Sequence, residues 1–128
     1  MVSSVDHIEL VVRNVDEFVQ MFEKLGFKLI SRTPHHGGSA ELQLPGPNQP
    51  IFEIHKAMGE ENPEMNHIAF RVDDLEKECK ELAAKGVVIE RGPQLVKVSG
   101  RTTADLRDPD GSRLQLVDAK RIEPEGED

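Results

Sequence analysis

The chain repeats one pattern at an offset of about half its length, and this repeat constrains the fold more than any other feature. "DHIELVV" at residues 6–12 and "NHIAFRV" at 66–72 are strand-like runs with one histidine near the start, and sixty positions separate His7 from His67. A repeat of this period indicates two supersecondary units built alike. The same offset matches further pairs: Ile8 with Ile68, Val12 with Val72, Val15 with Leu75, Phe22 with Leu82 and Gly26 with Gly86.

Each half predicts the order β-α-β-β-β. The two runs are followed by "NVDEFVQMFEKLG" and "DLEKECKELAAKG", which have apolar residues at helical spacing and end at glycine. The strands "FKLISR" and "VVIER" come next, then turn-rich loops around "TPHHGG" and "RGPQ", then hairpins turning at "PGPNQ" and "DPDG". We expect a single α+β domain over residues 1–128, with modules at about 5–57 and 65–118 and a tail at 119–128.

Alternation along the strands divides their side chains between two faces. Apolar residues such as Leu10, Ile54 and Phe70 should pack against the helices. The opposite face must therefore meet water or a ligand, and it carries a polar set: His7, Glu9, Glu53, His55, His67, Arg71, Arg113 and Gln115.

Composition excludes several classes of protein. A formal net charge of −8 argues against a general nucleic-acid binder. There is no long apolar run that could span a membrane, and the N-terminal segment lacks the pattern of a signal peptide, so we expect a cytoplasmic protein without a membrane partner. The single cysteine, Cys79, takes the position of Val19 in a helical apolar stripe and is interpreted as a core residue.

These motifs resemble the vicinal oxygen chelate superfamily, which includes glyoxalase I, methylmalonyl-CoA epimerase, extradiol dioxygenases, and fosfomycin- and bleomycin-resistance proteins. The resemblance rests on the paired modules, the histidine near the start of each and "RDPDGSRLQLV" near the end. It implies two β-α-β-β-β modules forming a cupped mixed sheet with the helices on its outer face. It also implies four metal-ligand positions, which fall on His7, Glu53, His67 and Gln115. Gln115 departs from the pattern, since glyoxalase I and many other members have glutamate there.

The chemistry of these four side chains suits one divalent ion. Two imidazole nitrogens, one carboxylate and one amide oxygen are donors for Zn, Ni, Co, Fe or Mn. A single carboxylate against a doubly charged ion leaves a formal charge of about +1, which would attract a small anionic or carbonyl-containing substrate. His7 and His67 could instead be ordinary strand residues with backbone partners.

Three other positions have alternative interpretations. His55 shares the face of Glu53 but is most simply a rim residue, and His35 and His36 are interpreted as exposed loop residues. Glu9 lies on the strand face of His7. It could form an ion pair with Arg71 or Arg107, or it could act as an additional carboxylate at the site.

Three functions fit these observations. The first is a metal-dependent lyase or isomerase of the glyoxalase I or epimerase type, which stabilises an enediolate-type oxyanion while Glu53 or Glu9 moves a proton. The second is an extradiol dioxygenase-like oxygenase, which Gln115 disfavours because it replaces the usual final carboxylate. The third is a metal-free, small-molecule binding protein of the drug-resistance type. Relatives build the cup within one chain or between two, and we expect a homodimer.

Overall fold

The computed structural model describes residues 1–34 and 38–123, and the chain divides into two compact units. We call Asp6–Asn66 the first module; Met1–Val5 together with the chain from His67 onward form the second module. The predicted exposure of His35 and His36 falls outside the described residues. A single domain over the whole chain stays a prediction.

The order of elements predicted for each half is confirmed. The strands and helices are β1 Val2–Val12, α1 Val15–Lys24, β2 Lys28–Thr33, β3 Ser39–Gln43, β4 Ile51–Lys56, β5 Glu64–Val72, α2 Leu75–Ala84, β6 Ile89–Val96, β7 Arg101–Arg107 and β8 Arg113–Asp118.

The strand order is β2-β3-β4-β1 for the first half of the chain and β5-β8-β7-β6 for the second. Strand β1 runs parallel to β4, and β5 runs parallel to β8. The remaining pairs, including the two predicted hairpins β3-β4 and β7-β8, are antiparallel. Each half therefore contains a mixed sheet, which confirms the α+β class.

Both helices begin at a residue whose side chain accepts a backbone N–H of the first turn. Asn14 Oδ1 accepts from Glu17 N–H at 3.1 Å, and Asp74 Oδ1 accepts from Lys77 N–H at 3.2 Å. These contacts satisfy donors that have no partner within the helix.

Both helices also end at glycine, as predicted. Gly26 has φ +103° and Gly86 has φ +88°, a region that a side chain with Cβ disfavours. Just beyond Gly26, Phe27 N–H donates to the Phe22 carbonyl at 3.0 Å, and the two rings pack with centroids 4.8 Å apart. This combination of hydrogen bond and apolar contact is a Schellman stop, and it turns the chain back toward the sheet.

Each module has its own apolar core between its helix and its sheet. The first contains buried Val12, Val15, Val19, Ala40, Leu42 and Ile54, with Leu10, Phe18, Phe22 and Phe27 packed against them. The second contains Val72, Leu75, Cys79, Ala104 and Leu116, with Phe70, Leu82, Ile89 and Leu106 packed against them. The predicted helix-facing sides of the strands and the core position of Cys79 are thereby confirmed.

The loop predicted at "RGPQ" is wrong, because these residues lie within β6. The ladder between β6 and β7 shifts register between Ile89 and Arg91 and again between Arg91 and Gln94. Strand β6 ends the strand order, so Pro93, which has no N–H to donate, is tolerated at this irregular edge. Among residues 1–34 and 38–123, no helix has the length and apolarity needed to cross a membrane.

Candidate functional site

In the first module, His7 is held by the residue before it. His7 is 1% exposed, and its Nδ1 lies 2.7 Å from Asp6 Oδ2. An ionised carboxylate can only accept, so Nδ1 carries a proton there, and in the neutral imidazole the lone pair is then on Nε2. That Nε2 lies 3.7 Å from Glu53 Oε2. The sequence predicted both His7 and Glu53 but gave no role to Asp6.

A row of carboxylates crosses the same face. Glu9 on β1 lies opposite Glu53 on β4, and Glu53 lies opposite Glu41 on β3. The next member is Ser31, which lies opposite Glu41 and donates from Oγ to Glu41 Oε1 at 3.0 Å. We call Glu9, Glu53, Glu41 and Ser31 the first-module row. The sequence analysis missed Glu41, which the hydrogen-bond register places beside a predicted ligand.

His55 is not the rim residue that the sequence suggested. It is 8% exposed, with Nδ1 3.5 Å from Glu9 Oε1 and Nε2 3.4 Å from Glu61 Oε2. The contact with Glu9 raises the pKa of His55 above its ordinary value, and Glu61 adds to this effect while burial opposes it. Glu9, left open as an ion-pair residue or an additional carboxylate, thus lies beside the buried imidazole of His55.

The second module carries a corresponding row. Ala69 on β5 lies opposite Gln115 on β8, Gln115 lies opposite Asp105 on β7, and Asp105 lies opposite Arg91 on β6. We call Ala69, Gln115, Asp105 and Arg91 the second-module row. His67, 5% exposed, shares β5 with Ala69 two positions earlier and therefore points to the same face as Gln115.

The polar members of the second-module row are joined by hydrogen bonds. Gln115 Nε2 donates to Asp105 Oδ1 at 3.3 Å, and Arg91 Nε donates to Asp105 Oδ2 at 2.7 Å. Arg113 approaches the same carboxylate at 3.4 Å. Burial by itself would raise the pKa of Asp105, but Arg91, Arg113 and Gln115 outweigh it and hold this pKa below its ordinary value. The sequence analysis missed Asp105 and Arg91.

Within the part of the chain that the structure describes, no three His, Cys, Asp or Glu side chains form a group that could hold a metal ion. Two predicted ligands, His7 and Glu53, do approach each other, and bonds of about 2.1 Å from each would allow both to reach one ion across their 3.7 Å separation. The nitrogen and oxygen donors fit a divalent ion. The four-ligand set of His7, Glu53, His67 and Gln115 stays a prediction.

Comparison with known proteins identifies the family. Residues 4–116 match the Glyoxalase/Bleomycin resistance protein/Dioxygenase superfamily. The chain is 30% identical to lactoylglutathione lyase of Salmonella typhimurium over 104 residues, which cover 75% of this chain and 77% of that enzyme. The chain belongs to this superfamily, as the motifs predicted.

Solved structures share the fold. Methylmalonyl-CoA epimerase from Mycobacterium tuberculosis superposes with a TM-score of 0.78 at 19% identity, covering 93% of this chain and 89% of the epimerase. A variant of homoprotocatechuate 2,3-dioxygenase from B. fuscum superposes with a TM-score of 0.69 at 23% identity, covering 99% of this chain and 36% of the dioxygenase.

Proposed function

We propose that this protein is a divalent-metal-dependent lyase or isomerase of the glyoxalase I or epimerase type. The proposal rests on two contacts of His7, one from Nδ1 to Asp6 and one from Nε2 to Glu53. A buried histidine whose Nδ1 is held by a carboxylate presents Nε2 in the tautomer that binds a metal ion. Metal-ligating histidines almost always donate their other ring N–H to a carboxylate, a backbone carbonyl or water. The similarity to lactoylglutathione lyase supports the same reaction class.

His7, Glu53, His67 and Gln115 would hold the ion, which we propose to be Zn, Ni, Co, Fe or Mn. When bound, a divalent ion would polarise a substrate carbonyl and stabilise negative charge on its oxygen. Only Glu53 in this set carries a formal negative charge, so the site would favour a small anionic or carbonyl-containing substrate.

The proton transfer would fall to a carboxylate of the first-module row. Glu9 and Glu41 flank Glu53 on neighbouring strands, so a substrate carbon beside the carbonyl could approach a carboxylate other than the ligand. We favour Glu9 or Glu53 as the base. Glu41 shares their face and is a third candidate.

Metal binding is the first test. Untagged protein stripped with a chelator should take up about one equivalent of Zn²⁺ or Ni²⁺ in a titration. His7→Ala, His67→Ala and Glu53→Ala should each weaken binding by tenfold or more, because each removes a ligand. His35→Ala, which changes a histidine outside the proposed set, should leave the affinity unchanged.

The loaded protein should then be assayed with methylglyoxal plus glutathione and with a methylmalonyl thioester. Turnover of either substrate that is lost in Glu9→Gln, with metal affinity retained, would identify Glu9 as the base. Full stoichiometry and affinity in the His7, His67 double variant would refute the metal proposal. A wild-type protein that binds no divalent ion would favour the alternative, a metal-free small-molecule binding protein.

We also propose a cytoplasmic location and a homodimer. The dimer is tested by light scattering of the purified protein across a range of concentrations.

A further inference from the structure

The amide of Gln115 lies beside a carboxylate, and that neighbour decides which end of the amide can bind a cation. Gln115 Nε2 is 3.3 Å from Asp105 Oδ1. A carboxylate has no proton to give at neutral pH, so the amide must present its NH₂ group there. The two ends of an amide diverge from the same carbon. With Nε2 committed to Asp105, Oε1 is the end directed elsewhere.

Asp105 is itself held in place. Arg91 donates from Nε to Asp105 Oδ2 at 2.7 Å and from a terminal nitrogen to Thr103 Oγ1 at 2.7 Å. Another terminal nitrogen of Arg91 donates to Gln94 Oε1 at 2.9 Å. A guanidinium bound at three points is a rigid support, and Arg113 adds a second cation at 3.4 Å. The Asp105 carboxylate can therefore hold the amide in one orientation.

We infer that Asp105 is a positioning residue that turns Gln115 into an oxygen ligand and makes glutamine, not glutamate, the residue that this site accepts. The inference rests on the proposed metal-dependent function. Outer residues that orient ligands typically contribute 10- to 100-fold in metal affinity. A glutamate at position 115 would instead place one carboxylate against another.

The inference changes the expectation for Gln115→Glu. Charge alone predicts tighter metal binding, since the variant adds a carboxylate to the site. Beside Asp105, that gain should be offset by repulsion across the two strands. The double variant combines Asp105→Asn with Gln115→Glu, so the amide and the carboxylate exchange places and the hydrogen bond forms again with donor and acceptor reversed. The full increase in metal affinity should then be measured.

The first experiment uses metal-free protein. The side-chain amide resonance of Gln115 is identified in ¹⁵N-labelled protein by its absence from Gln115→Glu. Asp105→Asn should shift this resonance and increase its exchange with solvent. Asp16→Asn is the matched control, because it breaks an exposed contact between an aspartate and Arg32 without touching Gln115. An unchanged Gln115 resonance in Asp105→Asn would refute the positioning role.

The second experiment is a Zn²⁺ titration of the wild type, both single variants and the double variant. Asp105→Asn should lose about tenfold in affinity, while Asp16→Asn should lose none. The Gln115→Glu change should strengthen binding more when it is added to Asp105→Asn than when it is made in the wild type. Equal changes in both backgrounds would overturn the inference.

The two proposals fail in different ways. If the wild type binds no divalent ion, the proposed function fails, while the resonance of Gln115 still decides whether Asp105 orients it. If the wild type binds Zn²⁺ but Asp105→Asn binds it equally well, only the inference fails. Should Asp105→Asn not fold, comparing Gln115→Glu with the double variant still measures the exchange of amide and carboxylate.

Discussion

The two modules repeat one architecture but carry different chemistry in equivalent rows. Register matches Glu9 with Ala69, Glu53 with Gln115, Glu41 with Asp105, and Ser31 with Arg91. The first-module row holds three carboxylates and a hydroxyl group. The second-module row holds a methyl group, an amide, one carboxylate and one guanidinium. The helices pack against the face of each sheet opposite the rows, so helix packing does not constrain which residues the rows contain.

The cores differ as well. Four of the five phenylalanines belong to the first module, where Phe22 lies within 6.4 Å, centroid to centroid, of the rings of Phe18, Phe27 and Phe52. At the equivalent position of the second module, Leu82 packs against a mainly aliphatic cluster. The same helix position is therefore filled by aromatic stacking in one module and by aliphatic contact in the other.

Truncation at these two positions should have the largest effect. Phe22→Ala and Leu82→Ala should each cost on the order of 2–5 kcal/mol of unfolding free energy, with Phe22→Ala the more costly because it loses three ring contacts. Urea unfolding measures both. Glu23→Ala and Lys77→Ala, on the exposed sides of the same helices, should change the free energy by less than about 0.5 kcal/mol. Equal losses of unfolding free energy in all four variants would show that Phe22 and Leu82 are not matched core positions of the two helices.

A smaller but still clear effect is expected at Gly92, where β6 has a second register shift that β2 lacks. A Cβ on Gly92 would lie 2.4 Å from the Thr103 carbonyl oxygen, and φ is +90°. Gly92→Ala should therefore cost more than about 2 kcal/mol, since strain and a backbone clash add.

Gly111→Ala is the control for Gly92, because Gly111 has φ +87° but, among the described residues other than its chain neighbours, no atom lies within 4 Å of its Cβ position. It should cost only about 1 kcal/mol. Similar thermal unfolding of the two variants would show that φ alone, and not the contact with β7, constrains Gly92.

The pH dependence of stability should be the smallest effect and should have opposite signs in the two modules. The pKa of His55 is raised above 6.5. The stabilisation that protonated His55 gives the folded state is therefore complete below pH 6.5 and is lost as the pH rises through the raised value. The pKa of Asp105 is lowered below 3.8. The stabilisation that ionised Asp105 gives the folded state is therefore present above pH 3.8 and is lost as the pH falls through the lowered value.

The free energy of unfolding is measured against pH by urea unfolding with chelator present. His55→Gln should reduce its pH dependence on the alkaline side, and Asp105→Asn should reduce it on the acidic side. A change on the same side in both variants would contradict the assigned contacts.

The sequence by itself determined the repeat, the elements of both modules and the division of each strand into an apolar and a polar face. Helical and strand periodicities are local properties, and the offset of sixty holds from the first strand through the helix of each half. It also placed His7, Glu53, His67 and Gln115 on the polar face of the strands. That these four form one ligand set was implied by the family resemblance, and their joint binding of a metal stays a prediction.

Only the tertiary structure brought Glu41, Asp105 and Arg91 next to those residues. Asp6 already precedes His7 in the chain, and the structure added its contact with His7 Nδ1. Glu53 and Gln115 are sixty-two positions apart, and Glu41 and Asp105 are sixty-four apart, because connections of unequal length follow β2 and β6. A fixed offset therefore cannot match them. Which residues lie opposite each other is decided by the hydrogen-bond register between strands. Alternation within one strand cannot fix that register, because a slip of two residues keeps every side chain on the same face.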